Sequence, residues 1–206
     1  MNKLFIAFEG CEGSGKSTIA KMIKEEMERR NIPFLLTREP GGTPISEKIR
    51  DIILDPSTPE MNPKTEALLY AASRTQHTLE KIVPALEEGK IVLCDRYIDS
   101  SLAYQGAARH LGPHSISEIN DFGIEYLRPN IVFFFDIRPE ESLLRIKNRG
   151  SLDRLEQEQL EFHTEIYNYF NWRCYVSPTW FRVDATKPVE EVFNTVLNKI
   201  SVLIER

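Results

Sequence analysis

The residues from Gly10 to Thr18, reading GCEGSGKST, have the types and spacing of a phosphate cradle. They match G-x-x-x-x-G-K-[ST], directly after the strand-like LFIAFE and directly before a helical pattern, the setting such a loop needs. Gly10, Gly13 and Gly15 let the backbone turn tightly. With Cys11, Glu12 and Ser14 between them, they aim successive N–H groups at phosphate oxygens beside the positive end of the following helix. Lys16 has the reach for β and γ phosphates, and the Ser17 hydroxyl is suited to ligate magnesium. Further on, VLCDRYIDSSLAYQG places Asp95 at the carboxyl end of an expected buried strand, where it suits hydrated magnesium, with Arg96 aimed into the same crevice. Arg38, Arg50, Arg74, Arg145, Arg149 and Arg154 fall in expected loops or helix starts. Phosphoryl transfer uses such a supply, because the migrating group spreads charge over oxygens that planar guanidinium groups clamp. The charged stretch RIKNRGSLDRLEQEQLE, from Arg145 to Glu161, reads as an arginine-rich lid that closes to keep water from the phosphoryl group. On these residues alone phosphate binding is expected, and kinase, GTPase and ATP-driven motor all stay open.

The elements that must position these groups follow from the apolar pattern. Runs of strand length recur at Leu4–Phe8, Phe34–Thr37, Ile91–Cys94, Ile131–Phe135 and Trp180–Val183. Continuous rather than alternating apolar strands suit a parallel sheet covered on both faces. Between them lie helical patterns. Ile19, Met22, Ile23 and Met27 share one face, opposite Lys21, Lys24, Glu25 and Glu28, and Val189, Val192, Val196, Ile200 and Leu203 repeat the pattern after Pro188, a good first-turn residue. Alternating strands and helices predict one α/β domain with right-handed crossovers. The proline-rich patch from Asp55 to Pro63 reads as a loop between helices.

Composition narrows the function classes. The chain has 206 residues, 41% hydrophobic and 28% charged, a globular balance. A formal net charge of -5 argues against a dedicated nucleic-acid binder, yet leaves room for a local arginine cluster that takes anions. Cys11, Cys94 and Cys174 are far apart and read as reduced thiols. The first apolar run is too short for a signal peptide and no stretch approaches a membrane span, so the cytoplasm is the expected location. His77, His110, His114 and His163 have no metal-ligand spacing and read as structural or surface groups.

At this point the chain resembles the thymidylate kinases over nearly its whole length. FEGCEGSGKST, TREPGGT, EALLYAASRTQH, DRYIDSSLAYQG and RGSLDRLEQEQLEF stand in that family's order and at familiar spacing. Gly13 in the phosphate loop, with arginines in the lid, resembles the bacterial type, in which the lid supplies the catalytic arginine. The resemblance implies a P-loop NTPase fold of the nucleoside monophosphate kinase type, with a parallel five-stranded sheet and helices on both faces. It implies a single domain over 1–206 with a lid at about 145–157. The implied reaction is ATP-dependent phosphorylation of thymidine 5′-monophosphate to the diphosphate, a step in dTTP synthesis, with Mg2+ as cofactor and a homodimer as the assembly. Gly10, Cys11, Glu12, Gly13, Ser14, Gly15, Lys16, Ser17 and Thr18 would bind ATP. Lys16, Asp95, Arg96, Arg149 and Arg154 would be catalytic, with Ser17 and Asp95 holding the metal, Asp95 through water.

For the acceptor, the resemblance gives Arg50 and Arg96 the phosphate and Tyr70 a stacking place on the pyrimidine. Arg74 would read the base carbonyl, Ser101 and Gln105 the base edge, and Glu12 and Tyr104 the sugar. Asp153 and Glu156 would orient the lid arginines, Arg145 would be a structural ion pair or a third lid arginine, and Asp184 and Ala185 would pass near adenine. A general base is not required, because a phosphate oxygen is already ionised near neutral pH. Three rival readings remain: a deoxynucleoside kinase, which would need a base; a GTP-binding switch, which usually carries an N-K-x-D motif not found here; and a catalytically dead relative.

Overall fold

A computed structural model describes residues 3–147 and 152–205. Five strands, β1 (Phe5–Glu9), β2 (Phe34–Arg38), β3 (Ile91–Asp95), β4 (Ile131–Asp136) and β5 (Trp180–Asp184), form one sheet in the order β2-β3-β1-β4-β5. Every pairing is parallel, with Ala7 of β1 facing Cys94 on one side and Val132 on the other. Five strands stand where the apolar runs predict them, and each ends one residue later than its run, on Glu9, Arg38, Asp95, Asp136 or Asp184. Hydropathy stops at the last apolar residue, whereas the ladder continues onto a charged one at the carboxyl edge.

The sheet is buried on both faces because side chains alternate along each strand. Ile6 and Phe8, Leu93, and Phe133 and Phe135 pack with Ile19, Ile23 and Met27 of α1 (Lys16–Arg29) and with Val192, Val196 and Ile200 of α9 (Val189–Ile204). Pro188 is the cap residue of α9 rather than its first-turn residue. On the opposite face, Phe5, Ala7, Cys94 and Phe134 meet a thicker layer. That layer comprises α2 (Pro44–Leu54), α3 (Pro63–His77), α4 (Val83–Glu87), α5 (Ile98–Ser101), α6 (Pro113–Ile124) and α8 (Leu160–Val176). π-helical turns at Thr78–Ile82 and Leu102–Ala108 continue α3 and α5. The short α7 (Pro139–Ile146) leads from β4 toward the lid stretch, and the patch from Asp55 to Asn62 is the expected loop between α2 and α3.

α3 turns the usual amphipathic rule round. Its inward face carries Glu66, Tyr70, Ser73, Arg74 and His77, all buried, while Leu68 is 56% exposed. A helix with charges inward and leucine outward is placed by what it holds in the interior as well as by the burial of Ala67 and Tyr70.

Phe134 is fully buried and touches the rings of Tyr167, Phe170 and Trp180. Phe134→Ala should cost about 3–5 kcal/mol, because neither the strand nor α8 can collapse into the space. Urea unfolding should show a lower midpoint with an unchanged slope.

Candidate active site

One cleft of about 260 Å³ opens at the carboxyl ends of β1, β2 and β3 and is lined by the phosphate loop together with Arg38, Arg50, Tyr70, Arg74, Asp95, Arg96, Tyr104 and Gln105. Parallel sheets place ligands at this edge, where strand ends and helix starts meet. Gly13 has φ +74, and a Cβ there would stand 2.6 Å from the Ser142 carbonyl oxygen, so the loop passes α7 where only glycine fits. Ser142 Oγ also donates to the Glu12 carbonyl oxygen, fixing the loop to α7.

Lys16 begins α1 and is buried inside its own loop. Its ammonium donates to the carbonyl oxygens of Gly10 at 2.9 Å and Cys11 at 2.8 Å, and to Ser14 Oγ at 3.2 Å. Burial and the nearby Arg96 pull its pKa down. The Ser17 hydroxyl donates to Asp95 Oδ2 at 2.7 Å, so the two groups expected to hold a divalent cation are neighbours. The Ser17 hydroxyl at the start of α1 and the Asp95 carboxylate at the end of β3 are hard oxygen donors that fit Mg2+.

Arg96 stands at φ +70 just after β3. Its guanidinium pairs with Glu12, donates to Ser100 Oγ at 3.1 Å, lies 4.0 Å from Glu9 and covers the Tyr104 ring at 5.2 Å. Tyr104 donates to Glu12 at 3.3 Å. Burial raises the Glu12 carboxyl, but Arg96 and Lys16 outweigh it and hold the group down at about 2. Glu9 accepts from the Tyr97 and Ser100 backbone N–H groups at 2.8 and 3.2 Å and from Ser100 Oγ at 2.6 Å. Burial carries its carboxyl from 4.5 up to about 7.

On the far wall Arg74 is 2% exposed. It donates to Glu39 at 2.6 Å, Ser101 Oγ at 2.9 Å, Asn120 Oδ1 at 2.5 Å and the Tyr97 carbonyl oxygen at 3.1 Å. Glu39 also faces His77 Nδ1 at 3.0 Å, and His77 Nε2 lies 2.7 Å from Thr37 Oγ1. His77 is fully buried with both ring nitrogens engaged, and a carboxylate and a cysteine that its sequence spacing gave no sign of lie beside it. Glu39, His77 and Cys94 lie close enough together to suggest a metal site, but the Glu39 oxygens are already engaged by Arg74 and His77. Arg50 donates to the Pro40 carbonyl oxygen at 2.9 Å, beside the cis Glu39–Pro40 peptide. Tyr70 and Gln105 line the cleft, whereas Ser101 lies behind Arg74 and does not.

The lid residues divide. Arg149 lies outside the described residues. Arg154 is 6% exposed and does not line the cleft; it donates to Glu66 at 2.6 Å and to the Ile53 carbonyl oxygen at 2.9 Å. Its neighbours Asp153, Leu155 and Glu156 do line the cleft, and burial raises the Asp153 carboxyl. Arg145 donates to the Ala185 carbonyl oxygen at 3.2 Å, joining α7 to the loop after β5 that was expected near adenine.

A family model described as thymidylate kinase matches residues 8–196. The chain belongs to the thymidylate kinase family. It is 51% identical to the thymidylate kinase of Lactobacillus helveticus, over 96% of this chain and 95% of that one. It is also 51% identical to that of Bacillus licheniformis, over 97% and 96%, and 47% identical to that of Anoxybacillus flavithermus over the full length of both.

In this thymidylate kinase family member, sequence reasoning missed the carboxylates that hold the arginines: Glu9, Glu39 and Glu66, all buried. Glu66 left a signal, since it stands four residues before Tyr70 and eight before Arg74, on one helix face. Glu9 titrates within a testable window. Between about pH 4.5 and 7 the folded chain keeps a proton that the unfolded chain has released, so stability falls as pH rises across that range. Glu9→Gln should flatten that part of the curve, read as urea midpoints against pH; an unaltered slope would place the titration elsewhere.

Proposed function

We propose that this chain transfers the γ-phosphoryl group of ATP to thymidine 5′-monophosphate, giving the diphosphate and ADP, a step toward dTTP. The observation that carries this reading is the joining of two sets of groups in one cleft: Lys16, Ser17 and Asp95 on one side, and Arg50, Arg96, Tyr70, Arg74 and Gln105 on the other. A phosphate loop alone fits any nucleotide-driven protein. Arginines facing it across a short gap fit a second phosphate as acceptor, and Tyr70 beside Arg74 fits a flat base with a carbonyl.

An acceptor phosphate oxygen attacks the γ phosphorus, the bond to the β–γ bridging oxygen breaks, and ADP leaves. The acceptor is already ionised near neutral pH, its second pKa being about 6, so the site needs no base. Lys16 follows the phosphoryl group, Arg96 and Arg50 fix the acceptor phosphate, and Arg149 from a lid at about 145–157 stabilises the charge in flight. Mg2+ held by Ser17 and, through water, by Asp95 would neutralise charge on the β and γ phosphates. Glu12 and Tyr104 line the sugar side. Arg154, paired with Glu66, acts on the lid's placement in this arrangement rather than on phosphate. Ala185 accepts from Arg145, and with Asp184 before it lies at a loop suited to adenine.

The chain works as one domain in the cytoplasm on small-molecule substrates, with no nucleic-acid partner. Its assembly is a homodimer, supported by apolar side chains turned outward on α3 and α6: Leu68 at 56%, Phe122 at 91% and, just past α6, Tyr126 at 76% exposure. No described helix is long and apolar enough to cross a membrane.

A coupled assay of ADP release with each nucleoside monophosphate in turn should show strong preference for thymidylate. Preference for another monophosphate would keep the kinase and discard the base-reading roles. Lys16→Ala should lower kcat by about a hundredfold or more in a folded protein; normal turnover would remove the phosphate-loop assignment. Arg149→Ala should lower kcat far more than it raises KM for thymidylate, as a contact made in the transition state does. A change confined to KM would make it a ground-state contact.

A further inference from the structure

Glu66 is fully buried in α3 and bonds to neither the phosphate loop nor Arg96. Three cationic or amide groups converge on it. Its Oε1 accepts from Gln105 Nε2 at 2.9 Å, and its Oε2 accepts from Arg154 at 2.6 Å and Arg109 at 3.2 Å. Arg109 in turn pairs with Glu158 and covers the Phe162 ring at 4.6 Å, so the hub is braced from α8 and from the lid stretch. Gln105 is 1% exposed and lines the cleft, and its Oε1 has no hydrogen-bond partner among the described residues.

The chemistry of an amide makes this asymmetry informative. Gln105 offers a donor end and an acceptor end of nearly the same shape, and only its partners decide which way round it sits. A carboxylate held by two guanidinium groups accepts and does not donate. It therefore captures the NH2 end and leaves the carbonyl oxygen buried and unpaired in the residue that lines the cleft. Arg74, which also lines the cleft, can only donate; Glu39, Ser101, Asn120 and the Tyr97 carbonyl engage four of its five N–H groups and leave one for a ligand. A donor next to an acceptor complements the edge of a 4-oxopyrimidine, where a carbonyl oxygen adjoins a ring N–H. The 4-aminopyrimidine edge has the opposite order, with an amino group beside a bare ring nitrogen, and would set acceptor against acceptor.

We propose that Glu66 is a specificity-determining positioning residue: by holding the Gln105 amide with its carbonyl oxygen toward the base, it makes the site select a ring N–H at position 3. This deepens the thymidylate reading and rests on it. Glu66 reaches the base only through Gln105, so its loss should show in discrimination between bases, read as the ratio of kcat/KM values, beyond any uniform loss from releasing Arg154 and Arg109.

The test measures kcat and KM for thymidylate, deoxycytidylate and N3-methylthymidylate in the wild type and in Glu66→Gln, Glu66→Asp, Gln105→Leu and the Glu66→Gln/Gln105→Leu double variant. A glutamine at 66 can donate as well as accept, so the amide is free to turn. Glu66→Gln should reduce the ratio of kcat/KM for thymidylate over deoxycytidylate by about tenfold or more. Glu66→Asp, which keeps the charge, should retain more of that ratio. In the double variant the Glu66 change should add nothing to the Gln105→Leu loss. Additive losses, or an unchanged ratio in folded Glu66→Gln, would overturn the proposal. Should Glu66→Gln fail to fold, the wild type still decides, because equal use of thymidylate and its N3-methyl analogue would mean that the N–H is not read. A wild type that phosphorylates none of these monophosphates would instead sink the underlying function.

Discussion

Cations gathered around one cleft repel one another; in this fold Lys16 and Arg50 rest on carbonyl oxygens, and three other arginines are held in place by carboxylates. Arg96 has Glu12 and Glu9, Arg74 has Glu39, and Arg154 shares Glu66 with Arg109. Such pairs add little net stability, because taking two charges out of water offsets most of their attraction. Breaking one is another matter, since the remaining charge is left inside without a partner, at about 3–5 kcal/mol. The pairs therefore fix geometry more than they fix the fold. Guanidinium planes are pinned by two or more bonds each, and a group pinned in advance loses little freedom when a ligand arrives.

Stability itself resides elsewhere, in the two apolar layers around the sheet. The aromatic group of Phe134, Tyr167, Phe170 and Trp180 sits on one side, and Phe8, Phe133 and Phe135 sit on the other. Parallel pairing brings every strand's carboxyl end to the same edge, so one residue past each apolar run a charged side chain enters the same region. Glu9 and Asp95, at the ends of adjacent strands, illustrate the division of labour. Asp95 meets Ser17 at the cleft, while Glu9 is drawn inward to hold the turn after β3 through Tyr97 and Ser100.

Much of this was legible in the residues. The phosphate loop, the five strands and the helices α1 and α9 follow from spacing and hydropathy, because a strand or helix buried on one apolar face advertises itself. Ser17 and Asp95 could be paired from their places at a helix start and a strand end. What hydropathy could not give was the buried polar part of α3, or the carboxylate partners, whose meaning lies in contacts between distant segments: Glu39 with Arg74, and Glu66 with Arg154. Arg154 shows the limit most clearly. Its type and its place in a charged run point to phosphate, and only the third dimension reveals that a buried glutamate has taken it.

The inverted face of α3 links the site to the outside of the molecule. A helix has one circumference, and the side given to Glu66, Arg74 and His77 leaves α3 only a narrow apolar contact with the core, through Ala67, Leu69 and Tyr70. Leu68 and Ala72 are displaced outward, where a buried leucine's gain of about 1.5–3 kcal/mol is not realised within this chain. To that contact α3 adds directional bonds: Arg74 to four partners, Glu66 to three side chains, and Ser46 Oγ to the Ser73 carbonyl oxygen at 2.9 Å. Directional bonds tolerate little displacement, whereas apolar contact slides. A helix fastened this way keeps Tyr70 and Arg74 at fixed positions in the cleft wall, and the apolar surface it leaves outside is the physical consequence of using its inner face for recognition.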